Sequence, residues 1–256
     1  TARVFVNRVW HHLFGNGLVP SVDNFGHSGR LPTNQALLDH LAMLFVAKGW
    51  STKNLIREIV LSRVYQLSSE TGAQANVDVE NKLHWRQNQR RLQAEAIRDS
   101  ILSVSGKLDR QTGGATMKAG TSTEYGYKFE GTRRSLYTPV FRNTPLEILS
   151  VFDFADPNLV VGERTTSSVP TQALFLMNSP FVRTQAEEAA KRLLDVNLTD
   201  NTLRIDHAYR RTIGRSATSR EREIVLKFLE QEKDKVKAWT QILHSLFASL
   251  DFRYLN

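Results

Sequence analysis

The chain has 256 residues, of which 41% are hydrophobic and 23% are charged, a composition that predicts a folded globular domain and excludes a disordered tail. It has no cysteine, which excludes disulfides, thiolate metal sites and a covalently attached c-type haem within these residues. The formal net charge is +8, and such an excess attracts polyanions such as nucleic acids, acidic polysaccharides or anionic lipids. No run of about 18 apolar residues occurs, so no transmembrane helix is predicted.

Apolar residues that recur every three or four positions predict four helices in the first 105 residues. They span about 4–14, 34–48, 52–67 and 90–105. Thr33 and Ser51 stand where the second and third helices need an N-terminal cap, and Gly15 and Gly106 follow the first and fourth helices as stop signals. Residues 68–89 are polar and mixed, with no regular pattern.

The segment 106–132 contains six glycines and few large apolar residues, which indicates a long mobile loop suited to an insertion or a lid. Residues 135–141 are the best candidate for a strand, but Pro139 restricts them to a sheet edge or a short extended segment. We therefore expect at most one small β-hairpin in the chain.

Helical signals return in the second half of the chain. A short helix is predicted at 145–152 and a final one through 236–250. Between them, prolines at 170 and 180 suit the first turns of two helices, and Asp200 caps a helix that ends at Gly214. Thr218 and Glu221 form the capping box of another helix.

These patterns predict an all-α fold, a multi-helix domain of irregular arrangement with long loops. Residues 1–256 are expected to form one helical domain that is a fragment of a longer protein, because the chain opens on Thr1 without an initiator methionine and already within a helical pattern. A division into sub-halves 1–132 and 133–256 is also expected.

One candidate site lies on the predicted helix 90–105, where Arg91, Glu95, Arg98 and Asp99 share a stripe. Two carboxylates flanked by two guanidinium groups suit an acid/base pair or the positioning of an anionic ligand. The same spacing also suits an ordinary ion-pair network that holds neighbouring loops. Because nearby arginines lower the pKa of a carboxyl group, which disfavours a general acid, the structural interpretation is favoured.

A second candidate site spans 152–172. Asp153 and Asp156 precede a run of short polar side chains, and Thr171 and Gln172 follow at the next helix start. Such a segment suits an anion cradle, a calcium site or the capping of the helix. Since the spacing of a calcium-binding EF-hand loop is absent, capping and turn formation are the favoured roles.

The first helix carries Asn7, Arg8, His11 and His12 in pairs four residues apart. Adjacent histidines cannot reach one metal ion from a regular helix, and no His-Glu-x-x-His motif occurs, so no metal site is predicted. A polar helix face or an anchor for the next loop is favoured. Phosphate-binding loops and the Gly-x-Ser-x-Gly nucleophile motif are absent from the sequence as well.

The sequence resembles the planctomycete-type domain of unknown function 1553 over nearly its whole length. Its most distinctive stretches are FDFADPN at 152–158 and VPTQALFLMNSP at 169–180. The remaining similar stretches are 3–15, 17–19, 23–26, 37–39, 49–51, 59–62, 90–99, 208–215 and 246–256. The glycine-rich stretch 106–132 is a departure, in the region where the family varies most.

The resemblance implies context more than chemistry. Members resemble C-terminal modules of large exported proteins, which implies an extracytoplasmic location in the periplasm or cell envelope. They often follow a related domain of unknown function and sometimes a cytochrome-c-like domain, so a haem would lie elsewhere in the full-length protein and no cofactor is expected in this segment. The family supplies no catalytic residues that transfer to this chain.

Two functions are compatible with these observations. The favoured one is a non-catalytic interaction or structural module that docks on other domains of the same polypeptide, on envelope components or on an anionic envelope polymer. The alternative is an enzyme that acts on an anionic polysaccharide, for which two carboxylates must lie roughly 5–10 Å apart in an open cleft. Nucleic-acid binding is disfavoured because no standard motif occurs.

The loop 106–132, the helix 90–99 and the segment 153–172 are expected to converge on one groove, because all three are polar within an otherwise apolar framework. The catalytic candidates of the enzyme alternative are Glu95, Asp99, Asp153 and Asp156. The ligand-binding candidates are Arg91, Arg98, Arg134, Thr171 and Gln172.

Overall fold

A computed structural model of the chain describes residues 1–70, 72 and 76–255, so part of the polar segment predicted at 68–89 lies outside the described residues. The fold is mainly helical, which confirms the predicted class. The helices are α1 Ala2–Phe14, α2 Gln35–Ala47, α3 Thr52–Val60, α4 Ala94–Ser105, α5 Glu147–Val151, α6 Pro170–Asn178, α7 Pro180–Asp195, α8 Asn201–Ile213, α9 Ser219–Gln231, α10 Lys235–Ala248 and α11 Leu250–Arg253. Two short strands, β1 Arg90–Arg91 and β2 Tyr254–Leu255, pair in one small sheet. Within the described ranges, no helix has the length and apolar character needed to cross a membrane.

The chain divides into two compact units, residues 1–90 and residues 91–255. The first unit ends at Arg90. Residues 131–135, where the glycine-rich loop ends, are tied to α4 by hydrogen bonds within the second unit. The single domain 1–256 with sub-halves 1–132 and 133–256 stays a prediction.

The first unit is built from α1, α2 and α3 around one apolar core. Its fully buried members come from the predicted stripes of the three helices and from the loop after α1. Asn7, which is itself fully buried in α1, holds that loop: its Nδ2 donates to the Val19 carbonyl at 3.0 Å, and its Oδ1 accepts from the Val19 amide at 2.8 Å. Asn7 is therefore the loop anchor that the sequence favoured.

In the second unit, α7 packs against α4 and against α10. Alanines on α7 let α10 approach closely, because the distance between packed helices depends on the side chains at the contact. Trp239 and Phe247 of α10 are fully buried in the core of this unit. The core of this unit also includes Ile97 and Ile101, which lie on the buried face of α4.

Local hydrogen bonds explain where helix ends differ from the predictions. Asn34, rather than Thr33, caps α2, because the Thr33 hydroxyl and amide both bond to the Leu18 carbonyl. α3 ends at Val60 instead of near residue 67. Just after this end, the Ser62 hydroxyl donates to the Ile59 carbonyl and competes with helical hydrogen bonding. Ser249 separates α10 from α11, since its hydroxyl caps α11.

The predicted strand at 135–141 is wrong. Ser135–Tyr137 form a single turn of 3-10 helix, and the following residues are irregular. The predicted helix start at Arg90 is also wrong, because Arg90–Arg91 are extended in β1 and α4 begins only at Ala94. The predicted glycine stops after α4 and α8 are confirmed: Gly106 and Gly214 adopt left-handed conformations, with φ of 79° and 77°.

Candidate functional site

The sequence-predicted candidates of the second unit lie around α4. Ala94, Ile97 and Ile101 bury one side of this helix, and Glu95 and Asp99 lie one turn apart beside that buried side. Because α4 begins at Ala94, Arg91 precedes the helix and does not form the helical pair with Glu95 that its spacing suggested. Glu95 and Asp99 are each bound by a residue far along the chain, and Asp99 also lies 3.5 Å from Nη1 of the adjacent Arg98.

Asp153, Arg91, Ser167 and Gln172 form a polar group, the Asp153 cluster, in which Arg91 and Gln172 have buried side chains and Asp153 and Ser167 are partly buried. The Arg91 side chain is 4% exposed, and its Nη2 lies 2.8 Å from Asp153 Oδ2. Arg91 also donates to the backbone carbonyls of Phe152 and Ser167, at 3.2 and 3.0 Å. The guanidinium therefore joins the residue before α4 to both ends of the loop between α5 and α6.

The carboxylate of Asp153 is satisfied from several sides. It accepts hydrogen bonds from the amide and the hydroxyl of Ser167 at 2.8 and 2.9 Å, and Gln172 Nε2 lies 3.4 Å away. Burial alone raises the pKa of this carboxyl group, but the hydrogen bonds from Ser167 and the charge of Arg91 outweigh it and hold the pKa below its ordinary value. Asp153 is thus an anion at neutral pH, the opposite of what a general acid requires.

Arg98, Asp99 and Ser135 form a second buried group, the Asp99 cluster. Asp99 accepts from the amide and the hydroxyl of Ser135, both within 2.8 Å of its Oδ1. Arg98, with a side chain only 5% exposed, donates to the Arg133 carbonyl at 2.9 Å and to the Ser135 hydroxyl at 3.2 Å. Burial lowers the pKa of Arg98. The cluster fastens the end of the glycine-rich loop to α4.

Glu95 pairs with Arg164, whose Nη1 lies 2.8 Å from its Oε2. The same guanidinium lies over the ring of Phe154, 4.9 Å from the ring centroid. The side chains of the pair are 31% and 27% exposed, so this contact is partly accessible to solvent. The carboxylate of Glu95 is therefore neutralised by Arg164 rather than by Arg91, which the helical spacing suggested.

The other candidates do not join these clusters. Asp156 accepts hydrogen bonds from the amide and the side chain of Asn158, at 2.8 and 3.0 Å, and so forms a local turn. Thr171 is exposed on the first turn of α6. Arg134 lies with its guanidinium 5.8 Å from the centroid of the Tyr137 ring.

The three polar segments expected to converge do contact a common element, α4 and the residues just before it. Residues 131–135 reach it through Arg98 and Asp99, and residues 152–167 reach it through Arg91 and Glu95. These contacts are made by the protein's own charged groups. The Nη donors of Arg91 and Arg98 contact carbonyls, a carboxylate and a hydroxyl of the chain, and the assignment of these arginines to ligand binding stays a prediction.

Sequence reasoning missed three partners: Ser135, Ser167 and Arg164. The run of short polar residues before α6 contained a signal for Ser167, because serine amides and hydroxyls commonly bind a nearby carboxylate. No pattern signalled Ser135 or Arg164, which lie 36 and 69 residues from the carboxylates they contact.

A surface segment around the same loop carries an excess of positive charge. Residues 106–142, the basic segment, contain seven lysines and arginines against three acidic residues. Tyr127, Phe129 and Phe141 contact one another there, with ring centroids 5.1 to 5.9 Å apart. Lys128 lies between Tyr127 and Phe129 in the sequence, and Arg142 follows Phe141. Both residues are exposed, and among the described residues neither side chain has a hydrogen bond or an ion pair.

The described part of the chain contains no group of three or more histidine, aspartate or glutamate side chains arranged to hold a metal ion. Comparison with known proteins gives one result. A family model described as "Protein of unknown function (DUF1553)" matches residues 1–229. No curated protein and no solved structure matches the chain.

Proposed function

The chain belongs to the DUF1553 family, a domain of unknown function, and we propose that it is a non-catalytic interaction module that docks on an anionic envelope polymer through the basic segment. One observation carries the proposal. Each candidate carboxylate around α4 is engaged by a guanidinium group or by an amide and hydroxyl pair: Glu95 by Arg164, Asp99 by Ser135 and Asp153 by Arg91 and Ser167.

Compensated carboxylates are poorly suited to glycoside hydrolysis. That reaction needs one carboxyl group whose pKa is raised, so that it can protonate the leaving oxygen. The pKa of Asp153 is instead lowered. No contact of the described residues favours the enzyme alternative, and the proposed function requires no cofactor.

The basic segment supports the choice of an anionic polymer. Exposed arginine and lysine side chains bind carboxylate and sulfate groups, and arginine does so through forked hydrogen bonds. Aromatic rings offer flat apolar faces beside those charges. Tyr125, two residues before Tyr127 in the sequence, has 67% of its surface exposed and adds a further ring to the basic segment. The resemblance to C-terminal modules of exported proteins is our reason for choosing a polymer of the cell envelope.

The test is binding to polygalacturonate, with neutral dextran as the reference polymer. The full chain is expected to bind polygalacturonate at low salt and to lose affinity as salt rises, because its contacts are electrostatic. The double variant Lys128→Ala/Arg142→Ala is expected to bind about tenfold more weakly, since two cation contacts of under ~1 kcal/mol each are lost. Affinity is measured by isothermal titration calorimetry.

The matched control is Arg220→Ala/Lys233→Ala, which removes the same charge from two exposed cations outside the basic segment. Equal weakening by the two double variants would show that net charge, rather than this segment, determines binding. Release of new reducing ends from polygalacturonate, abolished by Glu95→Gln, would overturn the non-catalytic assignment.

A further inference from the structure

A cleft in the second unit lies away from the α4 clusters. It is formed by α7 and α8, with the end of α4 and one residue of α10, and has a volume of about 200 Å³. Six of its lining residues are apolar: Val104, Ala189, Leu193, Val196, Ala208 and Leu243. The other four are Arg192, His207, Arg211 and Thr212. We call it the α7–α8 cleft.

The cleft combines positive charge with an absence of acidic groups. Arg192 and Arg211 both line it, and no aspartate or glutamate is among its described lining residues. Arg192 uses one nitrogen to donate to the carbonyls of Ser103 and Val104, at 3.1 and 3.4 Å, where α4 ends. Arg211 is exposed and has neither a hydrogen bond nor an ion pair within the described ranges. An anion would therefore meet two guanidinium groups that no carboxylate neutralises.

The Thr212 hydroxyl is a second, independent indication that the cleft binds a ligand. The residue is 9% exposed, and its hydroxyl is shielded from solvent yet has no hydrogen-bond partner among the residues that the structure describes. A threonine in a helix ordinarily bonds to the carbonyl four residues earlier, which here is that of Ala208, another residue of the cleft wall. A buried hydroxyl left without a partner costs about 1–3 kcal/mol, so such groups are usually satisfied in proteins.

We propose that the α7–α8 cleft is a binding site for a small organic carboxylate, whose head is held by Arg211, Arg192 and the Thr212 hydroxyl and whose apolar body lies against Leu193, Val196 and Leu243. A guanidinium group presents paired donors that match the two oxygens of a carboxylate. The apolar majority of the wall favours an organic anion over a bare inorganic ion, because most binding pockets enclose an apolar body and orient it by a few polar groups. The volume suits a short chain rather than a cofactor of nucleotide size.

The experiment is titration of the full chain with hexanoate, followed by isothermal titration calorimetry and by amide chemical shifts of α8. Wild type is expected to bind hexanoate, with the largest shifts at Arg211 and Thr212. Arg211→Ala is expected to weaken binding about tenfold, the usual effect of losing a charge-assisted hydrogen bond. Thr212→Val, which keeps the shape and removes the hydroxyl, is expected to weaken it about threefold.

Matched ligands and variants make the result decisive. Hexanamide, which has the same body without the charge, is expected to bind more weakly than hexanoate, and inorganic phosphate more weakly still. Arg220→Ala, an exposed arginine outside the cleft, is expected to bind hexanoate as wild type does. The melting temperature of each variant establishes that it is folded.

Equal affinity of wild type and folded Arg211→Ala for hexanoate would overturn the proposal, as would equal affinity for hexanoate and hexanamide. Phosphate binding as tight as hexanoate binding would overturn the organic part of it. The proposal does not depend on polymer docking, because the basic segment and the cleft share no residue; loss of polygalacturonate binding leaves the hexanoate result unaffected.

Discussion

Arginines in the second unit exist in two electrostatic states. Arg91 is buried and paired with Asp153, and Arg215 forks between Glu221 and Asp251 at 2.7 and 2.6 Å. Arg211, only four residues before Arg215, has no acidic partner within the part of the chain that the structure describes. The same residue type therefore stabilises the architecture in one place and presents an unpaired charge beside a cleft in another.

The difference shows how function can be sought in a chain without catalytic motifs. A buried arginine with carboxylate and carbonyl partners is part of the fold, because removing either partner leaves an uncompensated group in a region of low dielectric constant. An arginine beside an apolar cleft with no acid in its wall retains its capacity to bind an anion. Arg91, Glu95, Arg98 and Asp99 lie within nine consecutive residues of the sequence, whereas the two arginines of the cleft, Arg192 and Arg211, belong to different helices.

Breaking the Asp153 cluster is expected to give the largest effect on stability. Asp153→Asn keeps the shape of the side chain and tolerates the left-handed backbone at this position, where φ is 58°. It removes the charge opposite the buried Arg91, which is expected to lower the free energy of unfolding by about 3 kcal/mol. Urea denaturation monitored by circular dichroism measures the change.

Asp156→Asn is the control, because Asp156 lies in the same loop but has a local turn in place of a buried arginine. Its effect is expected to stay within about 0.5 kcal/mol. Equal destabilisation by the two variants would mean that the Arg91–Asp153 pair does not hold this part of the fold.

The sequence predicted the features that depend on a few consecutive residues. The capping box of Thr218 and Glu221 and the glycine stops after α4 and α8 are confirmed, because each is decided within about four residues. The all-α class is confirmed for the same reason, since apolar spacing is a local signal.

The partners of the candidate acids could not be predicted in this way. Glu95 was assigned to the arginine one turn before it, yet it binds Arg164, 69 residues away. Residues 91 and 95 do not lie on one helix, because Arg91 is extended in β1. Its side chain pairs with Asp153 instead. Strand pairing between residues at opposite ends of the second unit leaves no trace in the local pattern, so the identity of each ion pair required the fold.

The next largest effect on stability is expected from alanine substitution of a glycine at the end of α4, beside the cleft. Gly106 and Gly214 both end helices with positive φ, so alanine at either position costs about 1 kcal/mol. At Gly106 the added Cβ would also lie 2.9 Å from Arg192 Nη1 and 3.0 Å from its Cδ, whereas at Gly214 nothing lies within 4 Å. The flexible Arg192 side chain can move away, but it then loses its hydrogen bonds to the carbonyls of Ser103 and Val104, so Gly106→Ala is expected to destabilise by about 2 kcal/mol.

Because that overlap displaces Arg192, Gly106→Ala is also expected to weaken hexanoate binding, while Gly214→Ala leaves it unchanged. Thermal unfolding and calorimetric titration of both variants measure the two effects. If the two alanines destabilise equally and bind hexanoate alike, the contact between Gly106 and Arg192 has no role in shaping the cleft.

The smallest expected effect is a pH dependence that distinguishes Arg215 from Arg211. Hydrogen bonds from Arg215, aided by those of Thr218, outweigh burial and lower the pKa of Glu221 to about 2. Since the folded pKa lies below the ordinary value near 4.3, this stabilisation is present above about pH 4 and is lost as the pH falls toward 2. Solvent screening at this partly exposed pair limits the loss to about 1 kcal/mol. Urea denaturation between pH 6 and pH 2.5 should show that the free energy of unfolding falls less steeply with pH in Glu221→Gln than in wild type. Arg211→Ala removes no titrating partner and should follow the wild-type slope. A wild-type slope in Glu221→Gln would mean that the hydrogen bonds of Arg215 contribute nothing to acid sensitivity.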